Sequence, residues 1–380
     1  MNVVKLSNAV DAKKLLAQIG VDGGGVSILA SKMQHHIISI KDLPVGGANI
    51  LKQDALSVGA DLAVPRGTVI AQTKEVDCVL IATQRQLQKL AKKELAQPFL
   101  LKDVAKELQK ILESKKPQKT SIMGVINAND DSFFSGSRFV GKSALTQVEK
   151  MIEDGADIID IGGVSSRPNA PIVSAKEELE RVKPIVDALY DAKVYETQSF
   201  SIDSYEPSVI SYALERGFKI VNDITGLEDE RVLKLCATYD AQAIAMHMQG
   251  TPQTMQNNPT YDDIVDDVYN YLKNTIAKAN SYGVSDIVVD VGIGFGKTLQ
   301  HNLALIQNLE HFLTLNVPLL VGASRKSLID AISPSSVEQR VAGTLALHLK
   351  AVENGASIVR VHDVYEHKQA LLVQEALNTF

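Results

Sequence analysis

Eight short apolar runs in the last two thirds of the chain are followed by distinctive residues, seven by polar or ionisable side chains and one by a glycine pair. In order these residues are Asn127, the pair Gly162-Gly163, Asp203, Asn222-Asp223, His247-Met248, Asp290, Ser324-Arg325-Lys326 and Arg360-His362-Asp363. The glycine pair is followed at once by Ser165, Ser166 and Arg167. Asp203, Asn222 and Asp290 offer carboxylate and amide groups. An ionised carboxylate accepts two parallel N–H bonds, so these residues suit the donor-rich edge of a guanidine-like heterocycle. Arg325, Lys326, Arg360 and His362 suit a phosphate or diphosphate, Arg by bidentate contacts and Lys as a point charge. The pattern describes a nitrogen-rich ring at one end of a site and an oxyanion at the other.

The apolar runs that must position these residues are IMGVIN, DIIDIGG, FSID, KIVND, AIAMHM, DIVVDVGIG, PLLVGAS and SIVRVHD. Helical patterns lie between them, among them SALTQVEKMIEDGA, EPSVISYALERG, HNLALIQNLEHF and VAGTLALHLKAVENG. Several end in Gly just before the next strand, a normal helix stop. Strands that are continuously apolar are buried on both faces, which implies a parallel sheet. Eight β/α units over residues 120–380 predict a (β/α)8 TIM barrel, with its chemistry at the C-terminal strand ends and phosphate near strands 7 and 8. An open doubly wound sheet is the alternative, though it usually has fewer strands.

Before the barrel, the polar stretch 114–119 around Pro117 reads as a linker, and residues 1–113 as a small α/β extension. There VSILA, HHIISI and VDCVLIAT read as strands, and DAKKLLAQIG and LLKDVAKELQKIL as helices. The glycines of DGGGV (22–26) read as a turn, and His35-His36 as an exposed strand element. The extension shows no acid/base or metal cluster. Its role is structural or dimerising, regulatory, or that of a second enzyme.

The 380 residues carry 39 Lys and Arg against 45 Asp and Glu, a net charge of −6 that argues against a nucleic-acid partner. Two cysteines, Cys78 and Cys236, exclude a disulfide framework and suit the cytoplasm, with Cys236 read as a core residue. No apolar run is long enough for a membrane span, and the N-terminus lacks a signal-peptide core.

Each candidate also has a plainer reading. A strand-end Asp is often only the cap of the next helix, which could hold for Asn222 and Asp223. Arg360 could pair with Asp363, and His362 could be a satisfied core histidine. Asp130, Asp131 and Arg167 could be ordinary solvated loop charges. GIGFGKT (292–298) imitates a phosphate loop but has Val291 where the pattern needs Gly. No HExxH and no paired CxxC is present, so a thiolate zinc site is not expected.

Taken together, MGVINANDDSF, DIIDIGGVSSRP, SIDSYEPSV, NDITG, MHMQGTPQTMQ, DVGIGFGKT, GASRKS and RVHDV resemble, in order, the segments of the dihydropteroate synthase family of the folate pathway. The resemblance implies a (β/α)8 barrel. It also implies a reaction in which a dihydropterin bearing a hydroxymethyl diphosphate loses diphosphate and is attacked by 4-aminobenzoate. By that resemblance Asp203, Asn222, Asp290 and Lys326 hydrogen-bond the pterin, and Asp203, Asp290 and Lys326 act in catalysis. Met248, Phe295 and Gly322 line the pterin faces. Asn127, Arg360 and His362 hold the diphosphate, Asn127 also binding Mg2+. Phe133, Ser166, Arg167, Pro168 and Ser327 meet the aminobenzoate. A homodimer through the last barrel helices is implied as well.

The chain departs from the family in its first loop, which runs from Asn127 to Gly136 with Asn129-Asp130 for Thr-Pro and Ser135 for Asp. Its second loop is Val164-Ser-Ser-Arg-Pro-Asn169, and Val291 stands where Pro is usual. Ser204 replaces a Thr in the strand-3 motif, where Pro207 falls near the start of the next helix. The pterin and diphosphate positions are kept. Two other readings are a non-catalytic pterin-binding paralogue and a methyltetrahydrofolate-dependent methyltransferase on the same barrel.

Overall fold

The computed structural model describes residues 1–7, 10–128, 137–167 and 170–379, with backbone alone at 137–142 and 378–379. The chain divides into two compact units, residues 1–114 with 374–380, and residues 115–373.

In the first unit the order is α1 (Ala12–Gln18), α2 (Gly23–Met33), β1 (His35–Pro44), α3 (Val45–Val58), β2 (Asp61–Ala63), β3 (Glu75–Thr83), α4 (Gln84–Glu94) and α5 (Leu101–Glu113). The strands form an antiparallel sheet in the order β1-β3-β2. β3 alternates strictly, turning Val76, Cys78, Leu80 and Ala82 onto a core shared with Ala48, Leu51, Leu87, Leu90, Leu101 and Leu108. Two sequence readings fail here. VSILA lies within α2, not in a strand, and the glycines of DGGGV open that helix rather than making a turn. The Asp22 carboxylate accepts the Gly24 N–H at 3.1 Å, and this cap starts a helix where glycine content alone suggests none.

The second unit runs β4 (Ser121–Asn127), α6 (Ser137–Glu153), β5 (Ile158–Gly162), α7 (Ala175–Asp191), β6 (Ser199–Asp203), α8 (Pro207–Leu214), β7 (Ile220–Asp223) and α9 (Glu230–Tyr239). It continues β8 (Gln242–Met246), α10 (Ile264–Ser281), β9 (Ile287–Asp290), α11 (Leu299–Gln307), the short α12 (Leu309–Phe312), β10 (Leu319–Val321), α13 (Ser327–Ile332), α14 (Val341–Glu353), β11 (Ile358–Val361) and α15 (Val364–Thr379). Strands β4 to β11 pair in parallel, each with its sequence neighbours, and β11 returns to β4 to close the barrel. The eight apolar runs of the sequence are these eight strands. A closed parallel sheet leaves no edge, which excludes the open doubly wound alternative.

Two cores hold the barrel. Outward-facing Ile159, Ile161, Phe200, Ile202, Val221, Ala243, Val289, Val321 and Val359 pack under the helices. Inward-facing Met123, Ile158, Ile220, Ile244, Val288, Leu320 and Ile358 fill the interior as one layer. Helices stop where the sequence turns to Gly; after α14, Gly355 has φ +104° and lets the Ala356 N–H reach back to Ala351 O at 2.9 Å.

Candidate active site

The interior layer decides what lies above it. Side chains alternate between faces along a strand, so the residue two places on from each interior side chain also points inward. Those residues are Val125, Asp160, Asn222, Met246, Asp290, Gly322 and Arg360, with Asp203 in register beside Asn222. Five strands, β5, β6, β7, β9 and β11, thus carry a polar or charged side chain above the apolar floor.

At the centre is a buried charge network. Arg360 Nε donates to Asp160 Oδ2 at 2.6 Å, and its Nη2 donates to Asp203 Oδ2 at 2.6 Å. Asn222 Nδ2 donates to the same Asp160 oxygen at 3.2 Å. Asp160 is fully buried, and its Oδ1 has no partner among the described residues. Burial raises the Asp203 carboxyl above the usual carboxylate range; the Arg360 guanidinium opposes that rise, while Asp160 and Glu178 add to it. Burial alone would weaken the Arg360 cation, but Asp160 and Asp203 outweigh it and keep the guanidinium protonated.

Asp363 is therefore not the partner of Arg360. It accepts a two-pronged bond from Arg325, Nε to Oδ2 at 2.9 Å and Nη2 to Oδ1. Arg325 adopts a left-handed backbone, φ +56°, held on one side by Thr344 of α14 and on the other by Arg340 just before that helix. Its N–H donates to Thr344 Oγ1 at 2.9 Å, and its carbonyl accepts from Arg340 Nη1 at 3.1 Å. His362 is not a core histidine: its ring is solvent-exposed at the rim, and Nδ1 lies 2.9 Å from Ser324 Oγ. Crowding by neighbouring atoms and the Arg360 charge push it down to about 4.

On the opposite wall, Asp290 Oδ1 accepts the Gly292 N–H at 2.8 Å. Burial raises this carboxyl, with Lys326 opposing. Lys326 Nζ donates to Ile293 O and sits 4.4 Å from the Phe295 ring centroid. Burial lowers its ammonium to about 8, against the pull of Asp290. Met246 and Phe295 form one apolar cluster with Ile224 and Met255, and Met248 packs against it. Gly322 lies between the two walls, where a Cβ would stand 3.7 Å from Arg360 Cβ and 3.9 Å from Asp290 Oδ2. Carboxylates and an amide on one side, an apolar wall on the other and cations at the rim can hold a flat, nitrogen-rich ring that carries an oxyanion.

GIGFGKT has a different task from phosphate binding. Gly292 has φ +68°, and a Cβ there would fall 1.9 Å from His247 O, so only glycine fits. Lys297, 3% exposed, lies 2.9 Å from His247 Nδ1 and donates to His247 O at 3.2 Å and Phe295 O at 2.9 Å. It clamps the turn after β8 to the turn after β9. Asp223 likewise faces away, accepting the Thr225 N–H and hydroxyl at 2.7 Å each. The cap of α9 is Asp229, so neither Asn222 nor Asp223 serves it.

Of the remaining candidates, Asn127 is half-buried at the end of β4, Ser166 is half-buried, and Arg167 and Ser327 are exposed. Phe133, Pro168, Asp130 and Asp131 lie outside the described residues. Sequence reasoning missed Asp160 and Met246. Reading only the last residue of each apolar run passes over both; counting inward from Ile158 and Ile244 by two finds them.

The description "Pterin binding enzyme" fits residues 123–362, from within β4 to just beyond β11. The chain belongs to the pterin-binding enzyme family. It is 41% identical over 375 residues to a bifunctional dihydropteroate synthase/dihydropteroate reductase of Helicobacter pylori, covering 99% of both chains. It is 43% identical over 273 residues to the dihydropteroate synthase of Haemophilus influenzae, covering 70% of this chain and 96% of that one. Among solved structures, the dihydropteroate synthase of Thermus thermophilus in complex with 4-aminobenzoate superposes with a TM-score of 0.62 and 39% identity, covering 68% of this chain and 95% of that one. Within the family this chain is a dihydropteroate synthase, a transferase of folate biosynthesis.

Proposed function

We propose that the inward layer holds the dihydropterin ring and that groups at the ends of β4 and β11 hold its diphosphate. The observation that carries this reading is the placement of Asp203, Asn222, Asp290 and Gly322 at one level of the barrel, with Arg360 at their centre and Lys326 beside Asp290. Asp203, Asn222, Asp290 and Lys326 hydrogen-bond the heterocycle, while Met248 and Phe295 cover its faces. Arg360, His362 and Asn127 hold the diphosphate. Ser166, Arg167 and Ser327, with Phe133 and Pro168, meet 4-aminobenzoate.

The C–O bond to diphosphate breaks, the pterinylmethyl cation is stabilised by Asp203 and Asp290, and the arylamine nitrogen forms the new C–N bond and loses a proton. A neutral arylamine needs no strong base. Among the described residues no three His, Cys, Asp or Glu side chains gather to hold a metal. Asn127 alone, one neutral amide oxygen, fits Mg2+ only as a partner of the diphosphate's own oxygens, the usual arrangement for that ion. Bound there, Mg2+ would neutralise the leaving group.

The test is release of diphosphate from the dihydropterin diphosphate with Mg2+, with and without 4-aminobenzoate, alongside detection of dihydropteroate. Product formed with the arylamine supports the assignment. Substrate bound without dihydropteroate overturns it in favour of a non-catalytic pterin binder.

A second activity, reduction of dihydropteroate, is favoured by one observation. The Helicobacter relative named for it matches residues 1–113 as well as the barrel, whereas the Haemophilus synthase matches only 70% of the chain. Oxidation of a reduced nicotinamide or flavin that depends on dihydropteroate tests it. We further propose a cytoplasmic homodimer. Exposed Ile332 on α13 and Tyr365, Leu372 and Val373 on α15 support the pairing, and a monomer by light scattering refutes it. Among the described residues no helix is long and apolar enough to cross a membrane.

A further inference from the structure

Two histidines that the site does not use are buried side by side beneath it. His348 on α14 is 1% exposed and His367 on α15 is 1% exposed. His348 Nδ1 lies 2.8 Å from His367 Nε2. The far nitrogen of each ring is also engaged. Ala323 N–H donates to His348 Nε2 at 2.9 Å, and His367 Nδ1 lies 2.6 Å from the Asp363 carbonyl oxygen.

These three contacts admit one arrangement of protons. A backbone N–H can only donate, so His348 Nε2 is bare and its proton sits on Nδ1. His367 Nε2 must then accept, which puts the second proton on Nδ1, aimed at the Asp363 carbonyl. Both rings are neutral and every polar atom is used. A further proton on either ring would set N–H against N–H. Burial, helped by the nearby Lys326 ammonium, lowers the His348 imidazolium well below its ordinary value, in agreement with this arrangement. Burial also lowers His367, although Asp363 and Glu366 favour its charged form.

The bridge ends on two turns that matter. Ala323 lies between Gly322 and Ser324, two residues before Arg325 and three before Lys326. Asp363 follows His362 and lies three residues after Arg360. The same two turns are joined above the bridge by Ser324 with His362 and by Arg325 with Asp363. We propose that His348 and His367 are positioning residues. Their neutral, hydrogen-bonded pair locks the turn after β10 to the turn after β11, and so sets the spacing of Lys326, Arg360 and His362 around the diphosphate end of the substrate. This inference rests on the assignment of that end of the site given above.

The test uses the full chain with His348→Phe, which keeps the ring but removes both nitrogens, and His348→Gln, which restores an acceptor and a donor. His348→Phe should raise KM for the dihydropterin diphosphate and weaken inhibition by inorganic diphosphate, each about five- to tenfold, while KM for 4-aminobenzoate stays within about twofold. His348→Gln should recover most of the loss. An unchanged KM for the pterin substrate with a lowered Tm makes the pair merely structural and overturns the proposal. A wild-type chain that neither makes dihydropteroate nor binds inorganic diphosphate instead defeats the underlying site assignment.

Should the Phe variant not fold, 15N NMR of the wild-type imidazoles decides. Both rings should be neutral with the proton on Nδ1, and both should shift on adding inorganic diphosphate but not 4-aminobenzoate. A proton on either Nε2, or no response to diphosphate, overturns the proposal.

Discussion

Replacing Arg360 by Ala tests whether the centre of the site is held by charge compensation. The guanidinium makes two bonds of 2.6 Å, to Asp160, whose side chain is 0% exposed, and to Asp203, whose side chain is 12% exposed. Its removal strands two carboxylates in the barrel interior with Asn222 as the remaining donor to Asp160. Breaking a buried ion pair by removing one partner costs about 3–5 kcal/mol, because an uncompensated charge stays behind. The loss should depend on pH. In the variant the Asp203 carboxyl, which burial already raises, loses the guanidinium that opposes the rise, so its folded-state pKa lies above its unfolded value of about 4. Such a group binds more protons in the folded state, so the variant regains stability as pH falls and loses it as pH rises through that raised value. Urea denaturation of wild type and variant at pH 8 and pH 5 should give a difference of about 3–5 kcal/mol at the higher pH and a smaller one at the lower. Comparing the two proteins at each pH cancels the titration they share. A difference below about 1 kcal/mol at pH 8, or one that does not change with pH, would refute the claim that Arg360 compensates both carboxylates. Diphosphate affinity should fall in the same variant.

Lys326, lowered to about 8 by burial, should make kcat/KM for the pterin substrate decline above that pH as its cation discharges; a flat profile to pH 9.5 would show that the charge is not used. Lys297→Met should lower stability by about 2–3 kcal/mol, since the carbonyls of His247 and Phe295 lose a buried donor, and thermal melting reads this directly. Ile244→Ala, in the interior layer, should cost about 2–5 kcal/mol through the cavity it leaves, measured by denaturant midpoint. Cys78 and Cys236 are both buried, with thiols raised to about 11 and about 12, so neither should react with a disulfide reagent at pH 8 until the chain is unfolded.

The barrel was legible because its strands are continuously apolar and its helices stop at glycine, two signals that need no partner to be read. The chemistry at strand ends was legible for the same reason: Asp203, Asn222, Asp290, Lys326 and Arg360 each break an apolar run. Asp160 was hidden because it sits inside a run, flanked by Ile159 and Ile161, and only pairing across the barrel shows which face it takes. The partner of Arg360 was hidden too. Sequence proximity favours Asp363, three residues away, but Arg360 points into the barrel while Asp363 lies on the turn with Arg325. In the first unit, VSILA has the composition of a strand. The cap that makes it helical is a single side-chain bond from Asp22, a detail too local to outweigh β-branched residues on composition alone.

Because lumen-facing and helix-facing residues alternate along the same strands, the molecule is written in a two-letter reading frame. A point substitution at one position alters one contact. A single-residue insertion or deletion between Ile158 and Asp160, or between Ile358 and Arg360, would turn the subsequent side chains from the lumen to the helix side, exchanging charge for core at one stroke. Changes of length within these strands are therefore closed to this protein, whereas changes of side chain are open. New specificity must come by altering the residue at an inward position, or the loop beyond the strand end, and never by shifting the count.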